Sequence, residues 1–236
     1  NIIKKYKELC KQIIISSYMD DGYESKLKEI CPNIIILRHN IKRVQKMTDI
    51  KYGRLPDRNG NFRFRRKGFQ QFFHMKSMLP LVKTRYVVKT RVDQEFSNLS
   101  YFIHETILNG PSQKITLFPY YVRGASYFRY HPSDMLIGSS TKIMQKIFLL
   151  KEFSIIRMDR EVNLLIEQAI YKEYIDKKAK ELDTKNVGDM NDEEYANFMP
   201  KLFNVVNPKK LEPYCIHGIW NCFDDTQYKK YDESCN

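Results

Sequence analysis

Residues 86–96, YVVKTRVDQEF, set Lys89, Arg91, Asp93 and Glu95 at every second position. An aspartate and a glutamate two residues apart can both reach one divalent cation from a tight turn. Hard ions such as Mg²⁺ or Mn²⁺ take oxygen ligands and often share them with a diphosphate. Lys89 and Arg91 beside the carboxylates would lower their pKa values and keep both ionised for a metal. In extended chain the side-chain period is two, so all four charges would share one face, with Val88, Thr90 and Val92 on the other. A solvated edge strand, its charges merely paired with one another, is the competing reading.

Other chemistry-bearing residues are scattered. In HPSD (131–134), Asp134 fits a base or a ligand for a hydroxyl, and equally a turn capping the next helix. Glu167 is flanked by Ile166, Ala169 and Ile170. It is either the edge of an apolar stripe or a partly buried carboxyl with the raised pKa a general base needs. In CIHGIWNC (215–222), Cys215, His217 and Cys222 lack the paired spacing of a structural zinc site. That leaves His217 as a third metal ligand beside Asp93 and Glu95, or as part of a packed aromatic tail. The run NFRFRRKGFQQFF (61–73) has the composition of a single-strand nucleic-acid surface, but Phe69, Phe72, Phe73, Lys76 and Leu79 keep helical spacing, which favours an amphipathic helix. Walker A, GxSxG and GxGxxG patterns are absent from the sequence.

The elements that must position these residues alternate. Residues 3–12 carry apolar positions on one helix face and feed the β-branched run 13–18, and a helix at 22–31 followed by a strand at 34–39 repeats the unit. A helix from Phe69 is expected to stop or kink at Pro80. A strand at 84–91, a helix at 98–108, two strands around Pro119, and helices at 139–148 and 158–182 complete the pattern. This order predicts an α/β fold with a mostly parallel open sheet flanked by helices, and ligands collect at the carboxyl ends of such strands. Asp93 and Glu95 fall just past such an end. The expected organisation is one domain over 1–182 and a C-terminal extension over 183–236 that wraps it.

The 236 residues, 42% of them hydrophobic, can bury a sizeable core. No run of about 18 apolar residues and no basic-then-apolar leader is present, and five unevenly spaced cysteines do not make a disulfide framework. These features predict a cytoplasmic protein, and the opening Asn1 suggests a chain that continues upstream. A formal charge of +12, from 40 Lys and Arg against 28 Asp and Glu, would attract phosphates in a nucleotide, a nucleic acid or an anionic membrane face.

Taken together, the strands at IIISSY and PNIIIL, the helix holding Gln71, the segment YVVKTRVD, then YHPSDMLIG and LIEQAIYKEYI resemble the WavE-type family of lipopolysaccharide-synthesis glycosyltransferases. The family's K-x-R-x-D element falls on Lys89, Arg91 and Asp93, its upstream glutamine on Gln71, its Ser-Asp on Ser133 and Asp134, and its Glu-Gln on Glu167 and Gln168. Ile166 stands where the family has a proline before the Glu-Gln, and the family's first strand is either absent from this sequence or reduced to Asn1-Ile2-Ile3. The resemblance covers roughly residues 10–180. It implies a GT-A fold and a nucleotide-diphosphate sugar donor bridged to Mn²⁺ or Mg²⁺ at Asp93 and Glu95. Gln71, Lys89 and Arg91 would then contact the donor, Asp134 or Glu167 would serve as base, and the acceptor would be a glycan or lipid-linked saccharide.

Overall fold

The computed structural model describes residues 2–18, 22–40, 63–119, 130, 132, 135–149, 166–212, 214–216 and 219–221, with only the backbone course at 63–70, 166–167, 169, 214–216 and 219–221. Within these the chain forms two compact units. One is Asn1–Thr84 with Phe148–Ile166, the other Arg85–Ile147 with Glu167–Asn236.

In the first unit, helix α1 (Ile2–Tyr6) leads to β1 (Ile14–Ser17), and α2 (Tyr23–Ile30) leads to β2 (Ile35–Arg38), which pairs with β1 in parallel, Ile14 opposite Ile35. The β-branched runs 13–15 and 34–36 favour extended chain, and parallel pairing requires the crossover that α2 supplies. Helix α3 (Arg63–Met78) packs on β1 and runs into a turn of 3₁₀ helix at Leu79–Leu81, where Pro80 takes a first-turn position that needs no N–H donor. The Phe spacing of residues 69–73 thus becomes a helix, with Phe72 and Met75 buried. Gln12 ties the exit of α3 back to the approach of β1, its amide donating to the Leu81 carbonyl at 3.0 Å and its oxygen accepting from the Lys83 N–H at 3.0 Å.

The second unit begins with β3 (Tyr86–Lys89) and β4 (Gln94–Phe96), then α4 (Leu99–Leu108), β5 (Ile115–Leu117), β6 (Ile137–Ser140) and α5 (Thr141–Phe148). It continues with α6 (Ile166–Glu181), whose first residue belongs to the first unit, α7 (Asp192–Leu202), β7 (Phe203–Val205), β8 (Tyr214–Ile216) and β9 (Ile219–Asn221). One sheet has the order β3-β6-β5-β7 and another β4-β8-β9. Strand β6 is antiparallel to both β3 and β5, β5 is parallel to β7, and the second sheet is antiparallel throughout.

The fold is therefore mixed α/β, and the mostly parallel sheet expected from the sequence is corrected: only β1-β2 and β5-β7 pair in parallel among the described strands. The difference turns on β6. Met135, Leu136 and Ile137 form a short, fully buried apolar run, which carries no periodicity to distinguish strand from loop. Within the region expected as a C-terminal extension, β7 pairs with β5 of the first sheet and β8 pairs with β4. Helix α7 in this region starts with a capping box, in which Asn191 Oδ1 accepts from the Glu194 N–H at 2.8 Å and Glu194 Oε2 from the Asn191 N–H at 2.9 Å. The strand expected over 84–91 ends at Lys89. The expected helix start at 158 and second strand near 121–131 lie outside the described residues, apart from Tyr130.

Helix α4 lies against β6 where Gly138 leaves room, and a Cβ there would overlap the Thr106 side chain and stand 2.9 Å from the Phe102 ring. Phe102 and Thr106 are fully enclosed and cannot yield space easily. Gly138→Ala is therefore expected to overpack this contact and lower unfolding stability by about 1–3 kcal/mol, read as a lower urea midpoint at unchanged slope.

Candidate functional site

The acidic pair is set by a tight turn. After Lys89 the chain leaves β3, and the Gln94 N–H closes a turn onto the Arg91 carbonyl at 3.2 Å, so Asp93 sits at the third turn position and Glu95 in the middle of β4. The turn cancels strict alternation. Lys89 is 8% exposed and faces the interior, while Arg91 is exposed, so the four charged residues do not form one ionic face. This corrects the sequence expectation.

Arg91 and Asp93 form a two-pronged ion pair, Nε to Oδ1 and Nη2 to Oδ2, each 2.9 Å. With the two side chains 42% and 35% exposed, a pair of this kind contributes about 0–1 kcal/mol. Along β4, Gln94 and Phe96 are buried and Glu95 is half-buried on the opposite side. Gln94 is fully enclosed, and neither its amide nitrogen nor its oxygen has a hydrogen-bond partner among the described residues. An unpaired buried amide costs roughly 1–3 kcal/mol, and no described residue supplies the partner.

The other expected residues fall as follows. Gln71 lies half-buried on α3 in the first unit, whereas Lys89, Arg91, Asp93 and Glu95 are in the second. Glu167 belongs to the first turn of α6, with only its backbone described, and Asp134 lies outside the described residues. Strand β8 stops at Ile216, opposite Gln94, one residue short of His217, which is also outside them. Among the described residues no three His, Cys, Asp or Glu side chains stand together as a metal-holding group. No helix among them is long and apolar enough to cross a membrane.

A second constellation was not anticipated from the sequence. In the first unit, at the carboxyl ends of β1 and β2, the Ser16 hydroxyl sits between two imidazoles, 2.6 Å from His74 Nδ1 and 2.8 Å from His39 Nε2. Ser16 comes from β1, His39 follows β2, and His74 reaches in from α3. One hydroxyl proton can serve only one ring, so with both rings neutral the hydroxyl donates to one and accepts from the other. Burial, and then the neighbouring His39, push the His74 pKa down to about 4, and burial lowers that of His39. The Tyr18 ring packs edge-on against His74 at 4.7 Å. Burial pushes the Tyr18 phenol up to about 12, and its hydroxyl has no hydrogen-bond partner among the described residues. Nothing in the spacing of 16, 39 and 74 announces this group; only the parallel pairing of β1 and β2 collects it.

No family model matches the chain, and no curated protein matches it. Among solved structures it is similar to the crystal structure of mouse xyloside xylosyltransferase 1 in its apo form. That likeness has 10% identity, covers 84% of this chain and 72% of the other, and gives a TM-score of 0.37. A likeness this distant carries no argument about chemistry. The WavE-type resemblance rests on the quoted sequence motifs alone.

The histidine pair has a direct consequence for pH. The ordinary histidine pKa is about 6.5 in the unfolded chain, so between there and about 4 the unfolded state binds more protons at residue 74 than the folded state does. The stability that neutral His74 contributes is therefore present above about pH 6.5 and is lost progressively as pH falls toward 4. In urea unfolding between pH 7 and 4, the wild-type midpoint is expected to fall more steeply than that of His74→Asn. Parallel curves would remove the assignment.

Proposed function

We propose that the chain is a metal-dependent glycosyltransferase, moving a sugar from a nucleotide-diphosphate donor to a glycan or lipid-linked saccharide. The observation that carries this reading is the acidic turn, Asp93 and Glu95 presented just beyond the carboxyl end of β3 with Arg91 beside them. The K-x-R-x-D sequence resemblance supports it.

The donor set suits a hard ion. Mg²⁺ is usually held by one or two protein carboxylates and completes its shell with water and substrate phosphates, so Asp93 and Glu95 suffice without a third protein ligand. His217 is the proposed addition, since β8 runs beside β4 up to Ile216. The ion would supply charge neutralisation on the departing nucleotide diphosphate. Both Asp93 oxygens are engaged by Arg91 in the structure, which raises the question of competition. A half-exposed pair worth about 0–1 kcal/mol is readily exchanged for a divalent cation, which frees the guanidinium to grip a phosphate in two-pronged fashion. Arg91 thus pairs with Asp93 in the absence of ligand and would contact the diphosphate in its presence.

The remaining roles follow from chemistry. Lys89, buried at the end of β3, offsets negative charge from beneath the turn. Asp134 or Glu167 is proposed as the base for the acceptor hydroxyl.

Calorimetric titration of nucleoside diphosphates, with and without Mn²⁺, tests the reading. Binding is expected to strengthen at least tenfold with the metal and to lose that gain in Asp93→Ala. Arg91→Ala is expected to leave Mn²⁺ binding intact or tighter while weakening the nucleotide. Metal-independent binding, or full transfer activity in Asp93→Ala, would sink the metal assignment, and absence of nucleotide binding would leave a catalytically silent fold.

A further inference from the structure

At the amino end of β3, a cleft of about 500 Å³ opens between β3, the loop after α4 and the start of α5. We propose that it binds a phosphate ester, at a site separate from the acidic turn and independent of the glycosyltransferase reading. Among the described residues three cations line it, Arg85, Lys142 and Lys146, and no carboxylate does. All three are exposed, so none was placed there to neutralise a buried acid. Glu181 is near enough to feel Lys146, but its carboxylate is held by Lys178 at 2.7 Å, which leaves the excess positive charge in the cleft.

The polar lining matches the same chemistry. Ser140 Oγ accepts from the Ile143 N–H at 3.3 Å at the head of α5, an arrangement that uses an oxygen lone pair and leaves the hydroxyl proton able to donate. Helix α5 begins here, so the positive end of its dipole adds to the field of the three cations. Arg85 stacks on the Tyr86 ring, its guanidinium carbon 5.3 Å from the ring centroid, which limits the freedom of its planar fork. Gly110 completes the wall with no side chain, and a Cβ there would collide with that same ring. The volume suits a small organic ligand and exceeds what a bare phosphate fills. The four residues of β3, at about 3.3 Å each, put roughly 13 Å of strand between this cleft and the turn that follows Lys89.

The experiment titrates the full chain with glucose 6-phosphate, with glucose, and with vesicles carrying phosphatidic acid in a neutral phosphatidylcholine background. Saturable binding to a phosphate-bearing probe and not to glucose is expected, weakened at least tenfold in Lys142→Glu/Lys146→Glu and several-fold in Arg85→Gln. Asp93→Ala is expected to bind as wild type, which separates failure of this site from failure of the acidic turn. Loss of the soluble ester in the variants assigns a free phosphate ester; loss of vesicle binding alone assigns a lipid headgroup; either supports the site. Because all three cations are exposed, the variants should melt with wild type, and Arg85→Gln provides the reading if the charge-reversed pair does not. Equal affinity in wild type and variants, or no saturable binding to either phosphate-bearing probe, would overturn the proposal.

Discussion

The second unit depends on the close approach of α4 to β6 over Gly138. Strand β6 is the inner partner of both β3 and β5, so its position fixes the register of the whole first sheet. Tyr86 stands opposite Ser140 and Lys89 opposite Ile137. One end of this pairing aligns Arg85 and Ser140 beside the basic cleft, and the other releases the chain into the turn that holds Asp93. Both proposed sites thus inherit their geometry from one buried contact between a glycine and a helix. Close-packed interiors transmit small volume changes, and that contact is where such a change would be felt at both ends of β3.

Electrostatics divide the two ends in kind. At the acidic turn the chain pairs opposite charges, Arg91 against Asp93, in a bond weak enough to exchange. At the cleft the charges of the described lining residues are all positive. The sequence carries a net charge of +12, which sets the sign of long-range attraction but not its destination. Local arrangement decides that. The same field that draws a phosphate to Arg85 and Lys142 would draw a diphosphate toward Arg91, and only a carboxylate pair beside it invites a metal as well.

Much of the element order was legible in the sequence, because it rests on local signals. The β-branched runs at 13–15 and 34–36 became paired strands, and the helix expected over 98–108 forms at Leu99–Leu108, its first turn closed by Asn98 Oδ1 accepting from the Tyr101 N–H at 3.3 Å. Strand direction was legible for β1 and β2, where a helix separates two strands, but not around β6. There it is decided by which distant segment fills the slot beside β3, and Ile137–Ser140 gives no sign of it until Gly138 is seen beneath Phe102 and Thr106. The tight turn around Asp93 was legible from the spacing of the acidic pair, whereas the single ionic face expected from alternation was not kept, because the Arg91–Gln94 turn breaks the period of two. The Ser16, His39 and His74 group was invisible for a related reason, since its members lie 23 and 35 residues apart in sequence and meet only through tertiary structure. The polar composition beyond Leu182 concealed α7 even though Asn191 and Glu194 carry a capping signal.

The interleaving of the two units has a consequence for how the molecule is made. The chain passes from the first unit to the second at Thr84, returns at Phe148 and leaves again at Ile166. During synthesis the amino-terminal 84 residues emerge long before the segment that belongs with them, so the first unit cannot be completed until residue 166 has been added. The second waits longer still, since β7, which closes one edge of its main sheet, comes from residues 203–205. Domains that lie consecutively in sequence can fold in turn as they appear. Here each half waits on sequence beyond the other, which ties their folding together in time and leaves no single cut in the chain that would yield either one whole.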